Sequence, residues 1–201
     1  MSLEGNVLNA FARRQACEHA RTIEGVTAVA CALTVASSDS DAAIAAAVER
    51  RVQDYAFYTI YENVEVTVQG GRVTLTGRVM ADASVGTIAH IAARVNGATE
   101  VINMIRTLPV SPQDDAIREE IGGLFYEDPI FASDAYETRM PIRIIVEHGR
   151  VMLTGAVASA AARQAAETIA RAVGGVIEVD NRLAARSDGA AVVVSSSKPG
   201  Y

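Results

Sequence analysis

Three histidines, two cysteines and a scatter of carboxylates are the residues with which this chain could do chemistry. His19, His90 and His148 lie far apart in sequence. None has a Cys, Asp or Glu at a spacing that would hold a metal. Cys17 and Cys31 form no C-x-x-C, so neither a zinc knuckle nor a thiol–disulfide active site is written here. One bridge between them remains open, but two free thiols are expected. Phosphate-cradling and nucleophile-elbow motifs are absent. The paired carboxylates Asp114-Asp115 and Glu119-Glu120 are adjacent, and neighbours on a helix point apart. They are expected to be solvated charge near a helix N-terminus. His19 is expected to be a partly buried structural histidine, and His148 a solvated turn residue. The expectation is therefore no enzyme, no cofactor and no metal.

Aromatic residues are the more informative group. Of ten Phe and Tyr, four cluster at Tyr55, Phe57, Tyr58 and Tyr61, and four more at Phe125, Tyr126, Phe131 and Tyr136. Arg50 and Arg51 precede the first cluster, whereas Glu127, Asp128, Asp134 and Glu137 surround the second. Amphipathic rings beside charge suit a membrane interface or a protein partner. Plugging the open end of a small core is the competing role. Arg50, Arg51, Tyr55, Phe57, Tyr58, Tyr61, Phe125, Tyr126 and Phe131 are thus the candidate contact residues.

The elements that position these residues repeat. A shift of 72 residues places Gly5 on Gly77, and a further 78 places it on Gly155. In the same phase Val7, Val79 and Val157 align, as do Gly25, Gly97 and Gly175. Each full copy reads as helix, strand, strand, helix, strand. Ile44, Val48, Val52 and Tyr55 make the apolar stripe of the first helix, and Ile117, Ile121 and Leu124 its counterpart. Ser111-Pro112-Gln113-Asp114 resembles a capping box. Val64, Val66 and Val68 alternate with Glu65 and Thr67, as a half-buried strand does. Gly70-Gly71 and His148-Gly149 are turns, so strands one and two form a hairpin. The second helix begins near Asn9, Ala81 or Ser159 and ends at Gly25, Gly97 or Gly175. Its buried stripe is Ala16, Ala20, Ile23, then Ile88, Ala92, Val95, then Ala166, Ala170, Val173. A strand–helix–strand crossover makes strands two and three parallel. The glycine in strand two suits either a close approach of this helix or an edge bulge.

The fold class is therefore α+β: tandem small α/β sandwiches, each a small mixed sheet with two helices on one face. Residues 1–36 are a half copy, 40–109 and 111–186 are full copies, and 187–201 are a tail. Ala190–Ser195 is a spare apolar segment, expected to add as a strand to the half copy or to a second chain. A homo-oligomer, dimer or higher, is expected on that ground.

The repeat resembles the BON domain, named for bacterial osmotic-stress and nodulation proteins. The resemblance rests on the strand Val73–Val79 and its repeat Val151–Val157. It rests also on Val95-Asn96-Gly97-Ala98-Thr99-Glu100-Val101 and Val173–Val179, on an Asp-started helix before each, and on Asn103 and Asn181. It implies a bacterial envelope protein that attaches to a phospholipid surface or an envelope partner, hence a periplasmic location. No signal peptide precedes the repeats: Glu18 and Glu24 interrupt the one apolar candidate around Val26–Ala36. If Met1 is the true start, a soluble cytoplasmic interaction or ligand-sensing module is the alternative.

Charge separates the possible surfaces. The net charge of −6 argues against nucleic acid. Seven carboxylates against six arginines give −1 across 41–107, and twelve against eight give −4 across 113–186. If either copy touches anionic lipid, it is the first.

Overall fold

Two glycine-bearing turns set the register of the sheets. Gly70 and Gly71 both have positive φ, as do His148 and Gly149, and each pair closes a tight hairpin. Accordingly β3 (Asn63–Gln69) runs antiparallel to β4 (Arg72–Val79), and β6 (Ile142–Glu147) to β7 (Arg150–Val157). The computed structural model describes residues 1–36, 39–131 and 142–186. Ala190–Ser195 and Tyr136 lie outside them.

The chain forms two compact units, Met1–Val110 and Ser111–Tyr201. In the first, the sheet order is β3-β4-β5, where β5 is Glu100–Thr107 and lies parallel to β4. Helices α2 (Asp41–Gln53) and α3 (Asp82–Ala93) cover it. The core is Ile44, Val48 and Val52 from α2, Val73, Leu75 and Val79 from β4, and Ile88 and Ala92 from α3. The same unit holds the half copy: β1 (Ser2–Val7), α1 (Ala10–Thr22) and β2 (Ala30–Val35), with β1 and β2 parallel.

In the second unit β8 (Glu178–Asn181) pairs with β7, and β9 (Ala184–Ala185) extends the same edge after a break. Helices α4 (Pro112–Glu127) and α5 (Ala160–Ala172) complete it. On α4 the buried stripe is Ile117, Ile121 and Phe125. The expected Leu124 is instead exposed, because the i+4 spacing carries the stripe to Phe125.

Caps follow side-chain chemistry. Asn9, Ser40, Ser111 and Ser159 each accept the backbone N–H three residues on, and Ala81, lacking an acceptor, leaves α3 without a side-chain cap.

The strand-two glycine answers to β3, not to a helix. A Cβ on Gly77, at φ +128°, would lie 2.0 Å from the Asn63 carbonyl oxygen. The close approach expected of the second helix is thus made by the neighbouring strand. Gly5 keeps φ +127° with nothing within 4 Å, since β1 pairs only with β2 among the described residues. Ile23 is exposed for a related reason: among the described residues no first helix covers the half copy.

Cys17 and Cys31 are disulfide-bonded, with Cα atoms 6.0 Å apart, which corrects the expectation of two free thiols. Asn103 and Asn181 show why. Each Nδ2 donates to a carbonyl of the helix above, that of Val85 or Arg163, while each Oδ1 accepts the N–H two residues on. This amide clamp ties the third strand to the second helix. Cys31 stands at the aligned position of the half copy, and there the disulfide makes the tie.

Candidate functional site

The first aromatic cluster sits between the end of α2 and β3. Tyr55 and Tyr58 are half-buried against the core. The Tyr58 hydroxyl accepts the Val64 N–H at 2.9 Å, so this ring anchors the start of β3. Phe57 is 72% exposed and is braced edge-on by Tyr55, ring centroids 5.7 Å apart. Tyr61 is half-buried, and Arg50 and Arg51 are exposed. Arg51 also donates to the Arg94 carbonyl at the end of α3.

Beside this tip is a cleft of about 340 Å³ lined by Tyr55, Phe57, Glu62, Met80, Ala81 and Ser84, among others. Glu62 is fully buried, yet both its oxygens are used: Oε2 accepts Thr59 N–H and Oε1 accepts Met80 N–H. It ties the loop to the end of β4. Sequence reading missed it because nothing in the pattern marks a lone loop glutamate as buried.

The second aromatic cluster is different. Phe125 and Phe131 are both 0% exposed and pack together at 4.9 Å, with Phe131 on a short 3-10 turn, Pro129–Phe131. They are core residues, which removes them as contact residues. Tyr126, the next residue on α4, is exposed.

Asp114 is another correction. Expected as solvated charge, it is buried, and its carboxylate accepts the His148 and Gly149 N–H groups at 2.9 and 2.8 Å. Burial is the largest influence and raises its pKa. The Gly149 and His148 amides, Arg118 and Ser111 together outweigh it and hold the carboxyl below its ordinary range. Asp41 grips Gly70 and Gly71 identically, at 2.8 and 2.9 Å. These carboxylates fasten the first helix of each full copy to its hairpin. Next to Asp114, the buried Arg118 bonds Asp115 and the Val146 carbonyl. His148 is exposed as expected; His19 is exposed too, contrary to expectation, on the outer side of α1.

A second surface lies where the half copy meets the first full copy. The Asn9 Nδ2 donates to the Arg94 carbonyl, Ala10 N–H to the Ala98 carbonyl, and Gly97 N–H to the Leu8 carbonyl. Arg13 Nη2 donates to the Thr99 carbonyl at 2.9 Å. The Phe11 ring has the Arg94 guanidinium 4.3 Å and that of Arg14 5.9 Å from its centroid, and meets His90 edge-on at 4.8 Å. A groove of about 530 Å³ runs here, its lining including Ala10, Arg13, Arg14, Gly86, Ala89 and His90.

Among the described residues no group of His, Cys, Asp and Glu is placed to hold a metal, and no helix is long and apolar enough to cross a membrane. The BON domain family model matches residues 2–37, 40–109 and 113–187. The chain belongs to the BON domain family. No curated protein matches this BON chain. The solved structures similar to it include two of one secretion-system protein. One is the C-terminal domain of CdsD, the structural protein of the type III secretion system of Chlamydia trachomatis. It is 12% identical, with 92% of this chain and 84% of that one covered and a TM-score of 0.30. Another CdsD structure is 13% identical, covers 99% and 87%, and has a TM-score of 0.29.

Proposed function

We propose that this BON protein is a non-enzymatic binding module of the bacterial cell envelope. It attaches to an anionic phospholipid surface through its first full copy. The observation that carries the reading is Phe57: a large apolar ring, 72% exposed, braced by Tyr55 and following the exposed Arg50 and Arg51 in sequence. Aromatic rings concentrate at membrane–water interfaces, and each arginine near an anionic surface contributes about 1 kcal/mol. Family membership supports an envelope role. The Cys17–Cys31 bridge supports the periplasm over the cytosol, where structural disulfides are rare.

Co-sedimentation with vesicles tests this. Phosphatidylglycerol vesicles should carry the protein down and phosphatidylcholine vesicles should not. Phe57→Ala and Arg50→Gln should each weaken binding several-fold. Wild type that ignores both vesicle types removes the lipid reading. Equal binding by Phe57→Ala moves the contact elsewhere on the molecule.

A further inference from the structure

Helix α1 begins with the wrong charge. A helix N-terminus carries partial positive charge and is usually balanced by Asp or Glu in the first turn. Helix α1 has no acidic residue there, and Arg13 and Arg14 follow directly. The aligned residues are Val85 and Gly86 in α3 and Arg163 and Gln164 in α5, so the repeat does not demand Arg14 or the pairing of two arginines.

Among the described residues, neither Arg13, Arg14 nor Arg94 is ion-paired to a carboxylate. Glu100, on the groove wall, is already paired with Arg72 at 2.8 Å. Glu18, one turn along α1, pairs with neither arginine. The guanidiniums are positioned nonetheless. Arg13 is held by the Thr99 carbonyl, and Arg94 and Arg14 lie by the Phe11 ring. Arg13 and Arg14 each use few of their five donors, so unspent N–H groups border a groove whose other walls are mostly small residues.

We propose that this seam binds a phosphate-class oxyanion, with Arg13 and Arg14 as its chief ligands and Arg94 and His90 on its flank. Planar guanidinium forks match phosphate oxygens, and a helix N-terminus adds to the same potential. The proposal deepens the reading above and rests on it where the anion is a lipid headgroup. A free phosphate or phosphate monoester is the other source of the same chemistry.

The test uses the full chain with inorganic phosphate, glycerol 3-phosphate, and vesicles of phosphatidylglycerol or phosphatidylcholine. Binding to the soluble anions is read by calorimetry at constant ionic strength, and vesicle binding by co-sedimentation. Arg14→Gln should weaken binding about fivefold, and the double variant with Arg13→Gln about thirtyfold, taking each arginine's contribution at an anionic surface as the guide. Arg21→Gln, farther along α1, should bind as wild type. Arg14 is exposed and makes no hydrogen bond among the described residues, so its single variant tests the site even if loss of Arg13 loosens the seam. Soluble anions bound in an Arg14-dependent way, with no vesicle binding, leave the seam standing and overturn the lipid reading. Vesicle binding unchanged by both substitutions, with no soluble anion bound, overturns the seam alone. Binding of neither anion nor vesicle overturns both. Preference for polyglutamate over every phosphate probe overturns the ligand class.

Discussion

Gly77 has no side chain because the carbonyl of Asn63 occupies its place: a Cβ there would meet that oxygen at 2.0 Å. Gly77→Ala must therefore push β3 away from β4 as well as hold φ at +128°, and should cost about 3 kcal/mol or more. Gly5→Ala has the same φ problem with open space around it and should cost about 1–2 kcal/mol. Urea unfolding of the two variants measures the difference. A homo-oligomer that adds a strand to β1 would raise the Gly5→Ala cost to that of Gly77→Ala. It would also lower the mass by light scattering in that variant.

Thiol titration checks the bridge. Denatured, unreduced protein purified from an oxidising compartment should show no thiol, and reduced protein two. The bridge closes a separation of 14 residues, so removing it should cost about 3 kcal/mol, felt first in the half copy. Two thiols before reduction would remove both the bridge and the periplasmic argument built on it.

Asp114→Ala should cost about 3 kcal/mol, because two amides of the hairpin turn lose a charged acceptor. Asp41→Ala should cost less, since its carboxylate is only half-buried and water can reach the Gly70 and Gly71 amides. Urea midpoints of both variants decide. Equal losses would show that burial does not set the strength of this clamp.

The same carboxylate sets an acid limit. Its folded pKa is lowered from the ordinary 3.8, so the stability it contributes is complete above that value and disappears as pH falls through the folded one. Glu167, held down by its bond to Arg171 and then by Asn181, acts in the same direction from an exposed position. Urea midpoints measured from pH 5 down to pH 2.5 should fall more steeply in wild type than in Asp114→Asn. Parallel curves would assign the acid sensitivity to other groups.

Much of the fold was legible because three copies in phase repeat their punctuation. Gly25, Gly97 and Gly175 end helices, and Gly70-Gly71 and His148-Gly149 make hairpins. Asp114 was misjudged by weighing it against its neighbour Asp115 and not against Asp41. Their shared position, one repeat apart and facing equivalent turns, was the available signal. Cys31 was misjudged similarly, although it stands where Asn103 and Asn181 stand. The exposure of Phe57 and the burial of Phe131 were not legible, since composition does not say which way a link turns its rings, whereas the burial of Phe125 was available in its i+4 spacing from Ile121. The arginine seam was hidden for a different reason. It arises where one copy packs on another, and an alignment of copies discards what distinguishes them.

Asn9 both caps α1, through Oδ1 on Ala12 N–H, and holds the end of α3, through Nδ2 on the Arg94 carbonyl. One side chain thus begins the half copy's helix and finishes its neighbour's. The unit that duplicates in the gene is consequently not the unit that unfolds. Excising residues 1–36 strips Arg94, Ala98 and Thr99 of partners in the copy left behind, and a cut at the copy boundary should leave two fragments that stay associated. The copies look interchangeable in sequence, but the amide of one asparagine joins the first two into a single folded piece.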